Sequence, residues 1–147
     1  MAILEDDLPR VAVSALPDWE PGTPGVLCVS GLHAIPISTA LRAGDDRIVF
    51  ALSSRRSTLT RLREDARTSF CLLGAGLAFT AYGEAAVIRE GLEAAPHVVA
   101  LELRVSAIQD HLSDGRTEIV AGARWRWRAD RFVEDEQAIL AELVRLI

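Results

Sequence analysis

The chain has 147 residues, half of them hydrophobic and a quarter charged, with 16 basic against 21 acidic side chains and a net charge of −5. That length suits a single domain, residues 1–147, with a sizeable core, and the acidic balance argues against a phosphate-backbone binder, so no nucleic-acid partner is expected. No charged-then-apolar leader opens the sequence and no apolar run reaches membrane-spanning length, so a cytoplasmic protein without membrane attachment is expected.

The pattern begins at Asp7, which caps a short expected helix reaching Leu16, with Leu8, Val11, Ala12, Ala15 and Leu16 as its apolar stripe. Pro17, Pro21, Gly22, Pro24 and Gly25 then enforce a loop, in which Trp19 is expected to fold down as a lid on the core. Val26–Ser30 and His33–Thr39 read as strands joined by a tight turn at Gly31-Leu32. Pro36 has no N–H to give a ladder, which pushes the second strand to a sheet edge or a bulge. A Gly44-Asp45-Asp46 loop leads to a third strand, Arg47–Leu52, and Ser57 to about Asp65 follows as a helix with Leu59, Leu62 and Ala66 inward and Arg61 and Arg63 outward.

Thr68–Leu73 returns as a strand and turns through Gly74-Ala75-Gly76 into Leu77–Arg89. Val98–Ile108 and Thr117–Arg128 both alternate apolar with polar residues, and Asp114-Gly115 between them predicts a hairpin. Glu134–Ile147 is an amphipathic helix with Ile139, Leu140, Leu143, Val144 and Ile147 on its apolar face. About seven short strands with one mid-chain helix and helical ends make this a mainly β chain, a small antiparallel barrel carrying helices at its rim.

The residues with most chemistry are Ser53-Ser54-Arg55-Arg56-Ser57-Thr58, where a strand ends in hydroxyls and guanidiniums at the mouth of a helix. Free N–H groups in a helix's first turn and the positive end of its dipole favour a phosphate there. The competing reading has Ser57 as a simple helix cap and the arginines as solvated charge. Trp125 and Trp127 share one face of their expected strand, interleaved with Arg124, Arg126 and Arg128. Core packing is expected for at least one indole, while the other borders a flat aromatic ligand or a subunit interface.

Other chemistries lack their residues. His33, His97 and His111 have no ligand-spaced acid or thiol beside them, which argues against a zinc site. There is no GxSxG elbow, GxGxxG turn or P-loop. Tyr82 is a conceivable proton donor, but Thr80, Tyr82 and Glu84 more simply share a polar strand face. Cys28 and Cys71 have no CxxC partner and read as buried thiols of a reducing compartment. No catalytic residue is assigned, an absence that suits a protein whose cofactor carries the hard chemistry.

With these residues in place, the chain resembles the pyridoxamine 5'-phosphate oxidase-like family of flavin-binding split β-barrels over roughly residues 25–89. HAIPIS is similar to the family's second strand, IVFALSSRRS to its third strand and phosphate turn, and LREDAR to its helix end. TSFCLL and LAFTAYGEAAVI match the next two strands, including the Gly83-x-Ala85 step. The resemblance implies a split barrel of about six to seven antiparallel strands that forms a homodimer and binds FMN, or alternatively a deazaflavin coenzyme, at the interface. It implies a flavin ring along Ile35, Pro36, Ile37 and Ser38, and a phosphate held at Ser53, Arg56, Ser57 and Thr58 with Arg55 adjacent. An oxidoreductase acting on a small molecule is the implied activity, with a barrel that has lost catalysis as the rival. The chain departs from the family at Thr58, where many members carry a basic residue, and at Ala66, where proline is usual. Losing that cation removes a charge-assisted bond to the phosphate unless Arg55 replaces it.

Overall fold

The computed structural model describes residues 15–147, so the expected helix from Asp7 lies outside the described residues except for its last two positions. Seven strands form one antiparallel sheet in the order β2-β1-β5-β6-β7-β4-β3. The strands are β1 (Gly25–Val29), β2 (His33–Ile37), β3 (Leu41–Gly44), β4 (Arg47–Ser53), β5 (Arg67–Gly74), β6 (Leu77–Arg89) and β7 (Val98–Asp110). Two helices accompany them, α1 (Ser57–Glu64) and α2 (Asp130–Val144). This is a split β-barrel with flanking helices.

The β1–β2 hairpin forms as expected, closing on Val29↔His33. Gly31 takes φ +80° in its turn, and a Cβ there would also meet the Arg61 guanidinium at 2.2 Å. Arg61 is therefore not the outward side chain its spacing predicts, because Nη1 donates to the Ser30 carbonyl at 3.2 Å and ties α1 to this turn. Pro36 lies in the edge strand β2, where its missing N–H leaves no gap in a ladder.

The expected strand running on to Thr39 ends instead at Ile37, and the chain forms β3 before the Asp45-Asp46 turn. The segment Leu41–Gly44 carries no β-branched residue or alternation, so only pairing with β4 makes it a strand. As a result β2 and β4 lie far apart in the sheet rather than side by side. Strand β4 is buried on both faces. Ile48, Phe50 and Leu52 join the main core, whereas Val49 and Ala51 meet Leu143 of α2 in a second, smaller one. That explains its unbroken apolar run.

The main core centres on Leu27, Phe50, Phe70, Leu72, Phe79 and Leu103. Trp19 covers it as expected, its ring 5.4 Å from Phe79 and its Nε1 donating to the Ala40 carbonyl at 2.9 Å. At Gly83 the β6–β7 ladder shifts register, and a Cβ would sit 1.8 Å from the Arg104 carbonyl oxygen, so this crossing requires glycine.

Three further expectations are corrected. Residues 117–127 form no strand, despite their alternation. They run past the end of the β5–β6 hairpin, where Gly76 N–H donates to the Ile119 carbonyl at 2.8 Å, instead of lying along a free strand edge. Cys28 and Cys71 are half-buried, because each occupies an outward position of an alternating strand. On α2, which starts at Asp130, Leu143 is fully buried, but Val144 is 56 % and Ile147 51 % exposed, so the apolar face is narrower than its spacing suggests.

Candidate functional site

The end of β2, the end of β4 and the start of α1 converge on one side of the barrel. Pro36, Ile37, Ser38, Ser53 and Arg56 line a cavity of about 280 Å³ there. The opposite wall comes from Trp125 and Trp127, one of which the sequence places beside a ligand, and from Phe132, Asp135, Glu136 and Ile139 of α2, which sequence reasoning left apart. Both indoles are nearly half exposed, at 47 % and 46 %, so neither is a core residue. Trp127 is held by its Nε1, which donates to a Glu136 carboxylate oxygen, and by Phe132, whose ring centre lies 5.9 Å away.

The loop between β4 and α1 is ordered by its own backbone. Ser54 N–H donates to the His97 carbonyl at 2.8 Å, and Arg56 N–H donates to the Ser53 carbonyl at 3.1 Å. Ser53 Oγ accepts from Arg55 N–H at 3.3 Å, which leaves its own hydrogen available. The N-cap of α1 is Arg56, with no side-chain cap, so Ser57 is not the cap its identity suggests. Arg55, Arg56 and Ser57 are exposed at this helix start, and no acidic residue occupies the first turn.

The other sequence-derived candidates point elsewhere. Thr58 is 1 % exposed, and its hydroxyl shares a 2.9 Å hydrogen bond with His33 Nε2. In place of the expected phosphate ligand, this residue forms a buried tie between α1 and β2. Ile35 packs against the main core. Tyr82 lies on the other side of the barrel, with its hydroxyl donating to Gln109 Oε1 at 3.1 Å.

That other side carries a larger, open groove of about 1000 Å³ over β1, β5, β6 and β7, lined by Cys28, Ser69, Tyr82, Glu84 and Arg104 among others. It is a sheet face more than a cleft, and two of its charges, Asp65 and Arg67, pair with each other at 2.7 Å. Hydrogen bonds from the Arg67 guanidinium and then its backbone N–H hold the Asp65 carboxyl down at about 2. The first cavity is the better candidate, being walled by strand ends, helix α2 and two indoles and carrying one cation, Arg56, at the N-cap of α1.

Glu142 is a functional-looking residue that periodicity did not single out. It is 1 % exposed, and its carboxylate accepts the N–H groups of Ala94 at 2.9 Å and Glu93 at 3.1 Å, with Arg89 at 3.5 Å. The Ala94 N–H leads the effects that hold its carboxyl below the ordinary range despite burial. Its work is to fasten α2, and with it one wall of the cavity, to the β6–β7 connection.

No protein-family model matches the sequence, and no curated protein does. Solved structures do match in shape. HupZ of Group A Streptococcus superposes with a TM-score of 0.52 at 12% identity, covering 69% of this chain and 90% of that one. A candidate pyridoxamine 5'-phosphate oxidase of Listeria innocua gives 0.51 at 14% identity, over 60% of this chain and 88% of that one. A second such protein, from Lactobacillus delbrueckii, gives 0.50 at 8% identity, over 59% and 84%. At these identities the likeness is one of fold. The chain therefore has the split-barrel fold of pyridoxamine 5'-phosphate oxidase-like proteins.

Proposed function

We propose that the chain binds a phosphorylated flavin, FMN or a deazaflavin coenzyme, in the cavity between β2, β4 and α2, and works as an oxidoreductase in a homodimer. The observation that carries this reading is the convergence of Pro36, Ile37, Ser38, Ser53 and Arg56, residues distant in sequence, on one cavity faced by Trp125 and Trp127. The residue types fit the group. Indoles and aliphatic side chains suit a flat ring, while the Arg56 guanidinium and the Ser53 hydroxyl suit a phosphate.

A bound flavin supplies the two-electron chemistry. The residues of this chain bind and orient it, with Arg56 and Ser53 fixing the phosphate end and Trp125 and Trp127 shielding the ring from water. The cavity is at the small end of the roughly 300–1000 Å³ usual for such ligands, which supports a second copy completing the cleft. One finding favours a rival, a barrel that has lost catalysis: Thr58 is inside and spoken for, so the pocket has one cation fewer. Titrating the purified chain with FMN and with a deazaflavin phosphate, followed by quenching of flavin and indole fluorescence, tests the proposal. Saturable binding of either supports it, and binding of neither gives the reading to the rival.

A further inference from the structure

We propose that Cys28 and Cys71 form a two-thiolate site for a single soft monovalent cation, Cu(I), on the face of the barrel away from the cavity. They are the chain's two cysteines, separated in sequence by three strands and helix α1. The β1–β5 register pairs Cys28 with Ser69 and Val26 with Cys71. Alternation puts Val26, Cys28, Ser69 and Cys71 all on the outward face, so the two thiols are diagonal neighbours on adjacent strands. Both are free and half-buried, and Cys28 opens onto the large groove.

Spacing decides what such a pair can hold. Diagonal neighbours have Cα atoms about 7–8 Å apart, with Cβ atoms somewhat closer. A disulfide wants Cα atoms within about 4.4–6.8 Å, so closing one would require strand movement. Two metal–sulfur bonds of about 2.3 Å in line span roughly 4.6 Å, which bridges the diagonal with the strands in place.

The number of ligands then selects the ion. Among the described residues no third His, Cys, Asp or Glu joins the pair to form a metal-binding group. The nearby imidazoles are engaged elsewhere: His33, next to the partner of Cys28, shares a 2.9 Å hydrogen bond with Thr58, and His111 shares one of 2.7 Å with Thr80, the residue opposite Cys71. Zinc needs four ligands, whereas two thiolates satisfy a soft cation such as Cu(I). On binding, both thiols release their protons to solvent and two sulfur–copper bonds form. Copper stays monovalent, so no electron moves. The site is independent of the flavin reading, because it shares no residue with that cavity.

The test uses the full chain with Cu(I) from a bicinchoninate buffer under reducing, oxygen-free conditions. One Cu(I) per chain is expected, and bound metal should protect both Cys28 and Cys71 from iodoacetamide, read by peptide mass. Cys28→Ser and Cys71→Ser should each weaken binding by about a hundredfold or more, because the second thiolate acts as an intramolecular ligand. Protection of one thiol only, one metal per two chains, or undiminished binding by either variant overturns the proposal. The alkylation pattern is read on the unaltered chain, so it decides even if a variant misfolds.

Discussion

Arg56 occupies the start of α1 with its backbone N–H already given to Ser53, which leaves the guanidinium as its contribution to the cavity. Replacing it with alanine should weaken FMN binding by about ten- to hundredfold and riboflavin binding far less, the difference being the phosphate's charge-assisted bond. Equal losses for the two ligands in parallel titrations would show that Arg56 does not meet the phosphate. Glu142 makes a second prediction at this scale. Its folded carboxyl titrates below the unfolded one, so the stability it adds is full above the ordinary carboxylate range and is lost as pH falls through the folded value. Urea unfolding of the chain and of Glu142→Gln should therefore differ most near neutrality and converge in acid. A gap that is constant with pH would remove the carboxylate's charge from the account.

Helix α2 is the element whose removal tests the second core. Leu143 is fully buried against Val49 and Ala51, so Leu143→Ala should cost about 2–5 kcal/mol in denaturant unfolding. A loss within error would mean that α2 is only lightly attached. At this scale the strands marked by alternation or by turn glycines were legible in the sequence, from β1 and β2 through β7. The mid-chain helix and the Trp19 lid were legible as well. Strand β3 was not, because Leu41–Gly44 becomes a strand through its partner and not through its composition. Residues 117–127 misled in the opposite sense, since alternation states which faces differ but not whether an edge is free to receive the strand. For the cavity, Ser53, Arg56 and the end of β2 were legible as candidates and do meet there, whereas Ile35, Arg55, Ser57 and Thr58 do not line it. The α2 wall was not, since nothing in Phe132, Asp135 and Glu136 says which strand ends they will face.

For the whole molecule, the proposed homodimer and the proposed cofactor make one coupled prediction. If Trp125 and Trp127 wall a cleft completed by a second copy, flavin binding should shift the assembly toward the dimer by mass action. Sedimentation at falling protein concentration, with and without FMN, measures that shift, and a monomer that binds as tightly as the dimer would locate the whole site within one chain. The burial of β4 on both faces has a further consequence during synthesis. Its sheet neighbour β3 precedes it, but its other neighbour, β7, starts at Val98, and the helix that covers its second face starts at Asp130. A ribosome must therefore release most of the polypeptide before Ile48, Val49, Phe50, Ala51 and Leu52 find shelter, and until then they form a sticky, strand-prone patch. Nascent chains halted before Val98 should be held by chaperones or aggregate, and those extended past α2 should not.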